Sequence, residues 1–201
     1  MNNMNNMNRR RNGNQMPNRQ MNNNQMNNNQ NRQVQSKGNT DLAYPIVKVA
    51  KPNIAYARMI LDNIGGCASE MTAITLYAYN HVIFREYEDV ASAFGKVNIA
   101  EMRHFDIFSE LALQLGENPR LWTQRYSQKV FWSPSCVKYS KQLVEALSIA
   151  VEEEKAAIKK YESQIEQIQD ENVVENLQRI IIDEKQHEET FIRLLEKYSA
   201  K

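Results

Sequence analysis

The chain has 201 residues, with 25 basic and 24 acidic side chains and two cysteines. That is room for one domain of ordinary size plus an appendage. It excludes a disulfide framework, so free thiols are expected at Cys67 and Cys136. No run is of signal-peptide type or long enough to span a membrane, which points to the cytosol or a compartment reached without secretion.

Residues 1–40 are mostly Asn, Gln, Met and Arg, with no acidic and almost no aliphatic side chain. Such a stretch buries too little apolar surface to offset its ordering entropy, and a disordered tail is expected. Six basic residues fall there (Arg9, Arg10, Arg11, Arg19, Arg32 and Lys37), leaving 19 basic against 24 acidic in residues 41–201. A basic arm therefore precedes a mildly acidic body. Without interleaved aromatics, that arm is not expected to recognise nucleic acid specifically.

Pro45 and Pro52 punctuate an extended lead-in, after which the periodicity is helical. One helix is predicted from about Tyr56 to Phe84 and a second from about Asp89 to Leu115. Gly116 and Asn118-Pro119 then stop the pattern. Residues 117–136, with Trp122, Trp132, Pro119 and Pro134, read as an irregular crossover. A third helix is predicted over Lys138–Ile168 and a fourth over Val173–Tyr198. Short first and third connections with a long middle one imply an all-α four-helix bundle of two antiparallel pairs.

The second predicted helix carries one seam of alternating fours and threes: Val90, Phe94, Val97, Glu101, His104, Phe108, Leu111 and Leu115. The fourth repeats it 83 residues later with Val173, Leu177, Ile180, Glu184, His187, Phe191, Leu194 and Tyr198. The first and third repeat at a spacing of 84, pairing Ile60, Cys67, Glu70, Ile74 and Tyr77 with Val144, Val151, Glu154, Ile158 and Tyr161. The chain thus reads as a duplicated helical hairpin.

Four seam glutamates in a low-dielectric core each lose several kcal/mol of hydration and repel one another. No Lys or Arg lies on these seams, so two divalent cations are the expected compensation. Glu and His at i and i+3 project toward one point, letting each Glu-x-x-His grip a metal. The expected metal ligands are Glu70, Glu101, His104, Glu154, Glu184 and His187, with Glu101 and Glu184 bridging the two ions. Carboxylate-rich ligation suits manganese or iron alike. Tyr77 and Tyr161 read either as core aromatics or as donors that hold the carboxylates from across the bundle. His81 reads as a helix-end residue and Cys67 as core packing, while Gly65-Gly66 falls in mid-helix, where close packing against a neighbour or access to the site would explain the pair.

The ligand order Glu, Glu-x-x-His, Glu, Glu-x-x-His over residues 70–187 resembles the ferritin-like superfamily of bacterioferritins, rubrerythrins and non-haem manganese catalases. Tyr44-Pro45, Val49, Pro52-Asn53, Gly65-Gly66, Glu70, Ala73, Tyr77 and Glu101-x-x-His104 resemble the opening of the manganese catalases, particularly their short spore-coat members. Glu153-Glu154-Lys155-Ala156 and Tyr161 resemble that family's third helix. Rubrerythrins carry a further glutamate where Ala157 stands, and a four-cysteine module that two cysteines cannot build. Met102 follows Glu101, as the haem-binding methionine does in bacterioferritins, but reads as a helix-surface residue.

The resemblance implies a dinuclear manganese or iron oxidoreductase acting on hydrogen peroxide, of catalase or peroxidase type. One alternative is ferroxidase chemistry with O2 and iron handling. Another is a structural coat-layer component with a vestigial or protective metal site, incorporated through its tail. A homo-oligomer is implied, with coat partners for the tail and no membrane association.

Overall fold

The computed structural model describes residues 42–200, and the tail expected at residues 1–40 lies outside them. The elements are α1 (Ile54–Gly65), α2 (Glu70–Ile83), α3 (Glu88–Leu115), β1 (Trp122–Arg125), β2 (Gln128–Phe131), a 3-10 turn (Pro134–Cys136), α4 (Leu143–Gln167) and α5 (Glu171–Ser199). α1 and α2 pack on α3, and α4 packs on α5. The fold is a ferritin-like bundle in which α1 and α2 together fill the place of one long helix.

Local chemistry sets the ends. The Asn53 side chain accepts from the Ala55 and Tyr56 amides at 3.0 and 3.2 Å, capping α1. Gly116 closes α3 at φ 110, a left-handed turn that a side chain resists. α4 starts five residues later than predicted because Ser140 Oγ accepts from the Gln142 amide at 3.0 Å and donates to Glu145 at 2.7 Å. Such local bonds hold Lys138–Gln142 out of the helix.

Three expectations are corrected. The first predicted helix is not continuous but breaks over residues 66–69. A Cβ on Gly65 would lie 2.3 Å from the Trp122 backbone nitrogen, so only glycine lets β1 dock on the end of α1. Cys67 and Cys136 are not free thiols; they form a disulfide with Cα atoms 5.0 Å apart, fastening the break to the crossover. Cys67 is accordingly exposed and not core packing. The crossover is also less irregular than expected, since it contains an antiparallel hairpin with Trp122 opposite Phe131. Its turn places Tyr126 and Ser127 at φ 47 and 67 without the glycine or asparagine that announces such turns.

The apolar core falls into two clusters. One gathers Ile60, Ile64, Phe108, Leu111, Tyr161 and Leu177; the other gathers Leu76, Tyr77, Phe94, Leu147, Val151 and Phe191. Along α3, α4 and α5 the seam glutamates fall between these clusters. At its far end the duplication lapses: Val144 is 41% exposed while its counterpart Ile60, which lies in α1 beyond the break, is fully buried.

Candidate metal centre

Six side chains meet in this polar layer. Glu70 comes from α2, Glu101 and His104 from α3, Glu154 from α4, and Glu184 and His187 from α5. All are buried, from 0% exposed at His104 to 8% at His187. Their ligand atoms form two sets, Glu70–Glu101–His104–Glu184 and Glu101–Glu154–Glu184–His187, each within 4.8 Å. Glu101 and Glu184 belong to both.

The two shared carboxylates each turn one oxygen toward each imidazole. Nδ1 of His104 lies 3.0 Å from Glu101 Oε2 and 3.2 Å from Glu184 Oε1. Nδ1 of His187 lies 3.0 Å from Glu101 Oε1 and 3.1 Å from Glu184 Oε2. Yet Glu101 Oε1 and Glu184 Oε1 are buried without a properly aligned hydrogen bond. With Glu101 Oε2 and Glu184 Oε2 already engaged by the imidazoles, these two remaining buried oxygens lack donors, which fits a cation better than a completed hydrogen-bond network.

The electrostatics agree. Burial, with the neighbouring charges of Glu101 and Glu184, pushes the Glu70 and Glu154 carboxyls well above the usual range. Burial opposes charging of the imidazoles, but Glu184 and hydrogen bonds at His104, and Glu101 at His187, hold both well above the ordinary histidine value. Burial likewise opposes ionisation of Glu184, and the two histidines overcome it to hold that carboxyl low. With protons alone for balance, two acids would have to stay neutral and two imidazoles charged. Lys160 and Arg179 approach but are engaged elsewhere: Lys160 donates to the Ala68 carbonyl and pairs with Asp62 at 3.7 Å, and Arg179 pairs with Asp183 at 2.6 Å.

Tyr77 and Tyr161 reach across the bundle. The Tyr77 hydroxyl donates to Glu154 Oε1 at 2.5 Å, and Tyr161 donates to Glu70 Oε1. Burial keeps both phenols protonated by raising them well above the usual tyrosine value. A small cavity reaches the cluster between α2 and α4, lined by Ala68, Ser69, Ala73, Ala157 and the half-buried Glu153. His81 stands apart in the last turn of α2, its Nδ1 2.8 Å from the Ala91 carbonyl. Met102 is 48% exposed on the outside of α3.

Sequence reasoning missed three residues around His104. Asp183 Oδ2 lies 3.2 Å from His104 Nε2 and accepts from the Tyr44 hydroxyl at 2.5 Å. Arg179 ties Asp183 to the lead-in by donating to the Leu42 carbonyl at 2.9 Å, and its guanidinium sits 4.3 Å over the Tyr44 ring. Burial opposes ionisation of Asp183, but His104, Arg179 and Tyr44 hold its carboxyl down at about 2. The one signal available was positional: Asp183 precedes Glu184, whereas Ala100 precedes Glu101.

A helical bundle with a central carboxylate–histidine cluster defines a ferritin-like protein. The rubrerythrin family profile matches residues 65–195, and the chain belongs to that family. No curated protein sequence matches it. Among solved structures, the manganese catalase KatB from Anabaena aligns with TM-score 0.70 at 21% identity, over 79% of this chain and 80% of that one. The Mycobacterium tuberculosis bacterioferritin BfrA aligns with TM-score 0.60 at 19% identity, over 75% and 89%. A dodecameric thioferritin from Bacteroides fragilis aligns with TM-score 0.59 at 16% identity, over 75% and 90%. Among the described residues no helix is long and apolar enough to cross a membrane.

Proposed function

We propose that the chain is a dinuclear manganese or iron oxidoreductase acting on hydrogen peroxide, with Glu70, Glu101, His104, Glu154, Glu184 and His187 as its metal ligands. The observation that carries this reading is the six-ligand cluster standing beside a cavity lined by small residues. Two redox-active ions would supply the electron pair that O–O cleavage needs. The chain's residues supply everything around them. Glu101 and Glu184 span both positions, and Tyr77 and Tyr161 hold the outer carboxylates by donating one hydrogen bond each. Ala73 and Ala157 leave a passage that suits a two-oxygen molecule and excludes bulky reductants.

A second reading, oxidation of Fe(II) by O2 or peroxide, draws on one feature. Glu153 adds a half-buried carboxylate to the lining of the cavity, where its ionised form would attract an incoming cation. Elemental analysis of the purified full chain, followed by oxygen release from peroxide with manganese or iron loaded, tests the first reading. No turnover with either metal overturns it, and rapid aerobic Fe(II) oxidation would install the second.

Chelation gives a check independent of turnover. In metal-free protein Glu70, Glu154, His104 and His187 hold protons more tightly folded than unfolded. Their stabilisation is complete below the ordinary values of 4.5 and 6.5 and is lost as pH rises through the raised ones. Asp183, held at about 2, and Glu184, held low, are ionised throughout that window and add no slope. Chelated protein should therefore melt lower as pH climbs from about 5 to about 8, while metal-loaded protein, its ligands already deprotonated, should not. Equal pH profiles with and without chelator would count against a metal at these ligands.

A further inference from the structure

The internal duplication places every ligand of α5 83 residues after its counterpart in α3, but the flanking positions differ. Asp183 corresponds to Ala100, and Arg179 to Lys96. The difference decides how each imidazole is held. His104 turns Nδ1 toward the carboxylates and Nε2 toward Asp183 Oδ2 at 3.2 Å, with the Tyr44 hydroxyl at 3.4 Å. Asp183 is itself fixed by Arg179 and Tyr44 at 2.6 and 2.5 Å. Asp183 thus offers an acceptor for the Nε2 hydrogen, which would leave Nδ1 to present its lone pair inward once a metal replaces the proton there.

His187 makes the same inward approach through Nδ1. At the position that corresponds to Asp183, however, stands Ala100, which lines the same cleft as His187 and whose methyl group cannot accept a hydrogen bond. Among the described residues Nε2 of His187 has no hydrogen-bond partner. Its side chain is 10% exposed, against 0% for His104, and it lines a surface cleft with Lys96, Ala100, Gln186 and Thr190. Solvent thus reaches one histidine and not the other.

We propose that the two metal positions are inequivalent. The Glu70–His104 position binds tightly, with Asp183 as its positioning residue, and the Glu154–His187 position is weaker and exchanges through the cleft. This rests on the dinuclear reading above. Removing a carboxylate that orients a ligating histidine typically weakens metal binding by about 10–100-fold. The two positions should differ by about that factor in the natural chain.

The test is a stepwise titration of metal-free, full-length protein with Mn(II), bound metal being measured by equilibrium dialysis. The expected result is one tight equivalent and a second bound about 10–100-fold more weakly. Asp183→Ala should bring the tight equivalent down to the weak one. Ala100→Asp, which supplies the missing acceptor from a position facing the cleft, should tighten the weak equivalent and leave the tight one unchanged. Two equal equivalents in the natural chain, or an Ala100→Asp variant that binds as the natural chain does, would overturn the inequivalence alone. Failure of the natural chain to bind Mn(II) or Fe(II) at all would overturn the dinuclear reading, and this inference with it. Should Asp183→Ala prove unfolded by circular dichroism, the natural chain and Ala100→Asp decide the matter between them.

Discussion

The two halves of the bundle started from one plan and differ most where the first long helix should pass the site. α4 runs unbroken from Leu143 to Gln167 and carries Glu154 and Tyr161 in mid-helix. Its counterpart is cut into α1 and α2, so that Glu70 opens α2 in its first turn. The cut half has acquired fastenings that the intact half does without: Gly65 against the Trp122 backbone, the Cys67–Cys136 bond, and Lys160 from α4 donating to Ala68 inside the break. Ala68 and Ser69 in that break also line the cavity to the cluster. An interrupted helix opens a way to a buried site, and the neighbouring crossover restores the rigidity that the interruption gives up.

The disulfide is the largest of these fastenings. It closes a loop across a sequence separation of 69. A loop of that length restricts the unfolded chain by about 4 kcal/mol in the chain-entropy account. Reduction, or Cys136→Ser, should lower the melting temperature by roughly 10 °C for a domain this size. The same treatment should quicken amide exchange in residues 66–69 more than anywhere in α4. Uniform exchange across both halves would show that the break needs no fastening.

Gly65→Ala comes next. Its methyl group would stand 2.3 Å from a backbone nitrogen that cannot rotate away. Overpacking of this kind costs about 1–3 kcal/mol, and the hairpin must lift from α1 to relieve it. An unchanged melting temperature would mean that the hairpin is not seated as described.

The amide pair of Asn63 and Gln164 joins the cut half to the intact one. Each donates to the other, at 2.7 and 2.8 Å, and both are buried. Asn63→Leu or Gln164→Leu leaves the partner unsatisfied and should cost about 1–3 kcal/mol, whereas the double replacement should recover most of that. Additive losses in a double-mutant cycle would deny the pair any role in coupling the halves.

The meeting of the four glutamates and two histidines was legible in the sequence because its signal is periodic. Glu and His recur at the same two seam steps in two helices, and a period survives small errors in helix ends. Fold class followed from the same repeats. What escaped were features set by distant parts of the chain meeting. The break at residues 66–69 depends on Trp122 arriving at Gly65, and glycine in sequence does not say what approaches it. The disulfide joins residues assigned by default to separate thiols. Tyr44 stood in view as part of a family likeness, but its place against Asp183 and His104 requires the lead-in to cross α3 and α5. Asp183 was hidden by the seam itself, since attention to Glu184 and His187 passes over the residue beside them.

The finest test of the comparison lies at the cluster, where the halves should still match. Tyr77 from the cut half serves Glu154, and Tyr161 from the intact half serves Glu70. Each substitution to phenylalanine removes one donor from one outer carboxylate while keeping the ring in its core cluster. Loss of such a bond costs about 1 kcal/mol. Because the two bonds are images of one another, Tyr77→Phe and Tyr161→Phe should cost the same in chelated protein. Metal should shrink both losses equally, since a bound cation supplies the positive partner that the hydroxyl proton otherwise provides. Melting curves of the two variants with and without Mn(II) measure this directly. A gap between them larger than about 0.5 kcal/mol, the usual limit of additivity, would mean that the break in the first helix has disturbed the site itself. In that case Glu70, at the start of α2 beside the break, is the side chain through which the disturbance enters.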